Sequence, residues 1–282
     1  MQTHLFKITS LNSLSVVLKL GIGLITSKVI AIFIGPSGLA LVGNFRNFKA
    51  PKYNDFWSQY IDMKQLRAER GKYNGKDYSM VVLRKVILYP LESGAKTIEP
   101  FKIDLDAEVP TGRRDWFGEY EMRVIEKSLS TGTQTINVKP LPENGKPASF
   151  TGAVGKFDFV VKPSKTSLKA GESLDLEVSV SGNGNLKLFT LPKPVVPSAL
   201  EMYDPVHSEN VTTPLSGMQG KISDKYTLIP QYKGNYPIKP MSFSFFDLAT
   251  GKYKTITSPE IMIKVLDGPE SETPAVASSD SA

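Results

Sequence analysis

The chain has 282 residues, 40% of them hydrophobic and 10% aromatic, which is the composition of a globular protein of about two domains rather than of a disordered chain. Its net charge is +6, but residues 1–50 contain no acidic residue and carry most of the excess, so the remainder is nearly neutral and lacks the one-signed surface that nucleic-acid binding requires. Cysteine is absent, and the two histidines, His4 and His207, are far apart in sequence. We therefore expect surface histidines and no cofactor, metal, nucleic-acid partner or enzymatic activity.

The first predicted element is a hydrophobic head over residues 1–48. Residues 11–43 are largely apolar and long enough to cross a bilayer as a helix. Lys19 and Lys28 are nine residues apart, which is about 180° around a helix, so no single orientation turns both away from lipid. We predict a helical segment that inserts into a membrane, either as a lone anchor or inside a helical bundle. It carries no cleavage site typical of a secretion signal.

The end of the head, residues 34–48, reads IGPSGLALVGNFRNF. This segment resembles the first transmembrane hairpin of bacterial polysaccharide (O-antigen) flippases. Those transporters have many spans and this chain has at most two, so it cannot be a working flippase. The resemblance leaves a fragment of a membrane translocase as the alternative function.

A repeated sequence follows the head. Residues 88–100 read LYPLESGAKTIEP and residues 228–240 read LIPQYKGNYPIKP, so five residues recur at a constant offset of 140. We predict two copies of one module, a truncated copy at 49–142 and a complete copy at 150–267. Strand-like sequence opens the complete copy and has no counterpart in the first, where the head stands instead. We interpret this as a chimeric chain, fused within residues 45–52, whose first module is less stable than its second.

The complete copy indicates the fold. Short segments alternate polar and apolar residues between turn residues, and residues 170–172 and 182–185 are predicted hairpin turns with a third strand directly after Asn185. No long helical pattern is present. The sequence therefore predicts a mainly β protein of tandem immunoglobulin-like antiparallel β-sandwiches, the first truncated, behind the helical head. Asp104 and Asp106 lack the other ligands of a calcium loop, and we expect them to be solvated at a strand end.

Residues 143–149 form a predicted linker rich in proline and glycine, and residues 268–282 a disordered acidic tail. The string VKPLPENGKPASFTGAVGKFDF and the following LKAGESLDLEVSVSGNGNL resemble BatD, the aerotolerance (oxygen tolerance) family of bacterial envelope proteins, and the resemblance extends over residues 49–267. It implies a cell-envelope protein of the inner membrane with periplasmic β domains. It also implies partners among membrane-anchored von Willebrand A-domain proteins.

The candidate site lies in an insertion that the first module has and the second lacks, within residues 107–119. It contains residue types that are enriched where proteins bind one another. We predict a protein-binding loop, and the alternative is an aromatic plug that closes the end of the sandwich. The candidate residues are Arg113, Arg114, Trp116, Phe117 and Tyr120.

Overall fold

A computed structural model of the protein describes residues 14–20, 26–34, 41–63, 65, 68–73 and 76–268. The chain divides into two compact units between Leu141 and Pro142, directly before the predicted linker. Every regular element in the described residues is a strand, which confirms the prediction of a mainly β protein. Accordingly, the described ranges hold no helix with the length and apolar character that a membrane span needs.

The described residues of the first unit form ten strands. Its main sheet has the order β1-β2-β6-β4, with β5 also paired to β6, and β3-β8-β9 and β7-β10 form two smaller sheets. The strands are β1 (Leu14–Leu20), β2 (Thr26–Ile34), β3 (Leu41–Lys49), β4 (Phe56–Ile61), β5 (Ala68–Tyr73), β6 (Lys76–Pro90), β7 (Gly94–Ile98), β8 (Lys102–Arg114), β9 (Tyr120–Ser130) and β10 (Gln134–Val138).

The structure describes only parts of the head, and the helical membrane segment stays a prediction. The described parts of the head are the strands β1, β2 and β3 rather than a helix, and the remainder of the predicted helical segment lies outside the described residues. A short run rich in valine and isoleucine does not distinguish a strand from a buried helix by periodicity, and β-branched residues favour the strand. The head residues Lys19 and Lys28 both lie in these strands.

Strand β2 of the head lies beside β6, where the sequence predicts that the first module lacks strands. Strand β2 pairs antiparallel with β6, with Thr26 opposite Leu88, and β1 pairs with the other edge of β2. In the second unit, Leu174 lies opposite Leu228 at the position 140 residues further on. The first unit therefore does have strands beside β6, which is where the truncation was predicted.

Ten further strands lie in the second unit, over its described residues 142–268. One sheet has the order β14-β16-β13-β11-β18-β19, with β15 also paired to β16, and the other has the order β12-β20-β17. The strands are β11 (Phe150–Pro163), β12 (Ser167–Leu168), β13 (Leu174–Gly184), β14 (Leu200–Met202), β15 (Val206–Thr212), β16 (Gln219–Pro230), β17 (Gly234–Ile238), β18 (Ser242–Asp247), β19 (Lys252–Thr257) and β20 (Ile261–Val265).

Strand β11 changes partners along its length. Its beginning pairs parallel with β18, and from Gly155 onward it pairs antiparallel with β13. Gly155 has φ +150° and lies opposite Gly184, and a Cβ built on Gly184 would lie 2.4 Å from the carbonyl oxygen of Val154. Glycine at both positions therefore lets the two backbones approach closely at the point where β11 changes partners.

These contacts correct the prediction of a hairpin turn at residues 182–185. Strand β13 continues to Gly184, and the turn begins only at Asn185, whose carbonyl oxygen accepts a bond from the N–H of Leu188. No strand follows directly, so the predicted third strand is wrong. Glycines that permit a hairpin turn also permit close strand packing, and the sequence does not separate the two uses. The predicted turn at residues 170–172 is confirmed, with Gly171 at φ +81°.

Each unit has its own apolar core. In the first, the buried cluster of Tyr53, Phe56, Val86, Leu88 and Ile98 joins β4, β6 and β7. In the second, phenylalanine rings of β11 and β18 and of the segment after Asn185 pack together with centroids 5.5–6.1 Å apart, a spacing typical of favourable aromatic pairs. The tail from residue 269 onward lies outside the described residues.

Candidate protein-binding site

The candidate residues lie on a hairpin that extends from the first unit. Strands β8 and β9 pair from Lys102 opposite Ser130 to Arg114 opposite Tyr120, with an irregularity between Pro110 and Arg114. In the second unit, the strand that begins 140 residues after β8 is β18, and it and its partner β19 are only six residues long each. Every residue from 111 to 124 is exposed to solvent, and we call this exposed end of the hairpin the arm.

The tip of the arm, residues 115–119, is held by one carboxylate. Asp115 Oδ1 accepts hydrogen bonds from the backbone N–H groups of Phe117 (2.9 Å) and Glu119 (2.8 Å). The backbone N–H of Asp115 donates to the carbonyl oxygen of Glu119 at 2.8 Å, and Gly118 supplies the positive φ of +81° that the turn needs. The turn therefore has a defined backbone conformation before any partner is bound.

Arg114 and Tyr120 support the tip from below. The guanidinium of Arg114 stacks over the Tyr120 ring at 4.6 Å from its centroid. Its two terminal nitrogens donate to Tyr120 Oη and to the carbonyl oxygen of Gly118, each at 3.1 Å. Both residues are candidate contact residues in the sequence analysis, and the structure gives them the additional role of holding the turn.

The two aromatic residues of the tip point into solvent. Trp116 is 97% exposed and Phe117 is 87% exposed, although both are large apolar side chains. The alternative prediction of an aromatic plug requires buried rings, so this exposure contradicts it. Arg113 is also exposed, and its backbone N–H donates to Thr111 Oγ1 at 3.3 Å. The structure thus brings all five candidate residues together at one end of the arm.

Two exposed large apolar residues of the arm are not among the candidates. Met122 and Val124 follow Tyr120 at alternate positions of β9 and are 41% and 61% exposed. Alternate residues of a strand lie on the same face, so these three side chains form an exposed apolar row. The alternation in YEMRV was the sequence signal for this row. It resembles the half-buried strands elsewhere in the chain, which is why it did not stand out.

The remaining predicted polar residues make ordinary surface contacts. Asp104 lies inside β8 rather than at a strand end, and its Oδ1 accepts a hydrogen bond from Ser128 Oγ at 2.6 Å. Asp106, also in β8, forms an ion pair with Arg46 at 2.8 Å. Both prefer cross-strand partners to solvent, which corrects the prediction made for them. Across the residues that the structure covers, no cluster of three or more metal-binding side chains occurs.

His207 lies on the surface of the second unit as predicted, and His4 lies outside the described residues. Its Nδ1 is 2.6 Å from Asp224 Oδ1, and its Nε2 is 3.5 Å from Glu209. The hydrogen bond with Asp224 is the main reason that the pKa of His207 lies above its ordinary value. Glu209 in turn pairs with Lys187 at 3.1 Å, and this bond lowers the pKa of Glu209.

Comparison with known proteins identifies part of the second unit and not the arm. No curated protein matches the chain. A family model described as the BatD DUF11 like domain matches residues 161–265, which begin within β11 and end with the last residue of β20. The matched residues are less than half of the chain and lie inside the range 49–267 of the BatD resemblance. The flippase resemblance of residues 34–48 stays a prediction. Residues 161–265 of the second unit are therefore similar to the BatD DUF11 like domain and carry the link between this chain and BatD.

Proposed function

We propose that the chain is a non-enzymatic, BatD-type protein of the bacterial cell envelope and acts as a protein–protein interaction module at the membrane. The family match over residues 161–265 supports the envelope assignment. The observation that carries the interaction role is the tip of the arm, where Trp116 and Phe117 are exposed on a turn whose backbone is already fixed.

The proposal includes the architecture of the two units. Each is an immunoglobulin-like sandwich, and the two are copies of one module. In support, the strands β7 and β17, which contain the repeated sequence, are both five residues long and begin at residues 94 and 234. Within these strands, residues 96 and 98 are buried in the first unit, as are residues 236 and 238 in the second. A rigid β scaffold that presents a loop is a common arrangement for binding.

A fixed turn with exposed aromatic residues suits insertion into a pocket of a partner. Large apolar side chains that face water lose unfavourable hydration when a partner covers them, and roughly 25 cal/mol is gained for each Å² of apolar surface buried. Because Asp115 and Arg114 already order the turn, little conformational entropy is lost on binding. Trp, Tyr and Arg dominate the binding energy of most protein interfaces, and the arm contains all three.

The proposed partners are membrane-anchored von Willebrand A-domain proteins, which the BatD resemblance implies. In this proposal residues 11–43 attach the chain to the inner membrane, and both β units lie in the periplasm. The arm then reaches partners that are fixed in the same membrane. No catalytic step is part of the proposed function.

The test is binding of the full chain to a purified membrane-anchored von Willebrand A-domain protein in detergent, measured by biolayer interferometry. The double variant Trp116→Ala and Phe117→Ala should weaken binding by at least about 30-fold, because truncation of a hot-spot residue commonly costs 2 kcal/mol or more. A matched control is Val195→Ala, since Val195 is an exposed apolar residue (69%) of the second unit. Unchanged binding by the double variant, with an unchanged circular dichroism spectrum, would discard the proposal.

A further inference from the structure

The outer edge of β9 pairs with no strand in the part of the chain that the structure describes. The sheet order is β3-β8-β9, so among the described strands β9 pairs with β8 alone. An edge strand presents a row of free backbone N–H and C=O groups, which is a template for pairing with another strand. Proteins usually protect such edges against pairing with other chains. The sequence of the exposed part of β9 indicates which kind of strand could pair with this edge.

The exposed part of β9 is the segment 120–124, which reads YEMRV. Its two faces differ in chemistry. Tyr120, Met122 and Val124 form the apolar row on one face, while Glu121 and Arg123 lie exposed on the other face. Arg123 forms no ion pair with any side chain that the structure describes, and Glu121 makes only a 3.5 Å contact with Thr111 Oγ1. The opposite charges of this face are therefore available to a neighbouring strand.

The segment is complementary to itself when it runs antiparallel to a second copy with Met122 at the centre. In that register Glu121 of each copy lies opposite Arg123 of the other, and Met122 lies opposite Met122. Tyr120 lies opposite Val124, which is a favourable pairing of an aromatic with a β-branched residue. The two-fold axis then passes between the two Met122 residues, perpendicular to the sheet, and keeps both apolar rows on the same face.

We propose that two copies of the chain associate through antiparallel pairing of their β9 edges, with Met122 on the two-fold axis. Glu121 and Arg123 form two ion pairs across the axis, and both pairs form only in this register. They therefore favour a second copy over an unrelated strand. The pairing joins two two-stranded arms into a four-stranded sheet, which removes both free edges. Five residues from each copy make a small contact, so the dimer forms and dissociates with concentration.

The first test reverses one charge and then restores complementarity. Sedimentation velocity of the purified full chain over a concentration series should show a species of twice the 31.0 kDa chain mass that increases with concentration. Arg123→Glu places like charges opposite each other at both pairs and should raise the dissociation constant at least about tenfold. The double variant E121R/R123E exchanges the two charges and should restore the dimer. A monomer at all concentrations, or a double variant that stays as weak as Arg123→Glu, overturns the proposal.

The second test determines the register. The chain contains no cysteine, so a single introduced cysteine can form a disulfide only between copies. Met122→Cys lies opposite itself, within the Cα separation of about 4.5–5.5 Å for antiparallel neighbours that a disulfide accommodates. Val124→Cys is the matched control on the same exposed row, because its two copies would be about 13 Å apart along the strands. Oxidation should therefore cross-link Met122→Cys and not Val124→Cys. Equal cross-linking of both, or of neither, contradicts the proposed pairing.

Discussion

At the scale of single residues, two buried tyrosines differ in whether their hydroxyls have a partner. Tyr53 lies in the core of the first unit with 8% of its surface exposed, and its hydroxyl has no hydrogen-bond partner among the residues that the structure describes. Burial raises the pKa of Tyr53 to about 12. Tyr236 in the second unit is 9% exposed, but its hydroxyl donates to the carbonyl oxygen of Tyr232 at 2.9 Å. A buried hydroxyl without a partner loses its bonds to water and gains nothing in return.

This contrast predicts opposite effects for the same substitution. Tyr53→Phe removes an unpartnered polar group and should stabilise the first unit by up to about 1 kcal/mol. Tyr236→Phe removes a hydrogen bond and should destabilise the second unit by about 1 kcal/mol. Unfolding in urea, monitored by hydrogen exchange in each unit, measures the change in the free energy of unfolding for both variants. A loss of stability in Tyr53→Phe as large as in Tyr236→Phe would show that the Tyr53 hydroxyl has a partner.

The residue types of the arm are enough to select it as a candidate site. The pairing of β8 with β9 shows which of its residues hold the turn and which face solvent. Trp116 and Phe117 could be chosen as candidate contact residues because their residue types are common in binding sites, and the structure places both in solvent. The supporting role of Arg114 could not be predicted, because it depends on the register that places Tyr120 opposite it. Sequence spacing does not give a register where a strand is irregular, as β8 is between Pro110 and Arg114.

At the scale of elements, strand β15 is attached to β16 along an edge where His207 lies opposite Asp224. The Nδ1–H of protonated His207 donates to Asp224, and Glu209 on the same strand is the second carboxylate beside the ring. Asp224 thereby raises the pKa of His207 above the value in the unfolded chain. The stabilisation is consequently complete below about pH 6.5 and disappears as the pH rises through the folded-state pKa.

We expect the attachment of β15 to weaken as the pH rises. Hydrogen exchange of β15, corrected for the intrinsic rate at each pH, should show greater protection in the wild type than in His207→Gln at pH 5.5. The difference should vanish at pH values above the folded-state pKa. Asp224→Asn is a matched control, because it retains the side-chain shape and removes the charge that attracts the imidazolium. A difference between wild type and His207→Gln that is the same at pH 5.5 and pH 8.5 would contradict this account.

The strands of the second unit were largely predictable, and its close strand contacts were not. Alternation marked β11, β13 and β20 because one face of each is buried. The sequence predicts a turn at Gly182 and Gly184, but both lie within β13, where they allow close approach of a neighbouring strand that the sequence alone does not specify. The head raises the related question of helix against strand, because its described parts are the strands β1, β2 and β3. An apolar run in the sequence indicates that a segment will be buried. Whether that segment becomes a strand or a helix depends on the elements that pack against it.

At the scale of the whole molecule, the two units differ in how many buried polar side-chain groups lack a hydrogen-bond partner. Among the described residues, the first unit buries three side-chain atoms without a hydrogen-bond partner: the hydroxyl oxygen of Tyr53, Oδ1 of Asp106 and the amide nitrogen of Gln134. Asp106 Oδ1 still lies 2.8 Å from Arg46 in an ion pair, so only the Tyr53 and Gln134 groups lack both kinds of partner. It also buries Lys96 in β7, where the second unit has Tyr236. Within the described residues, the second unit contains no buried side-chain group of that unpartnered kind. Each such group costs about 1–3 kcal/mol, which is a substantial part of the stability of one domain.

The first unit should therefore unfold before the second, even though β1 and β2 complete the sheet beside β6. Hydrogen exchange of the full chain in increasing urea should expose the strands of the first unit at a lower concentration than those of the second. Gln134→Leu together with Tyr53→Phe removes both unpartnered groups and should narrow the gap between the two transitions. Because these substitutions leave the head unchanged, a narrowed gap assigns the weakness to the interior of the unit. Equal protection of both units in the wild type would instead mean that the buried groups find partners, and the difference in stability predicted from the sequence would be wrong.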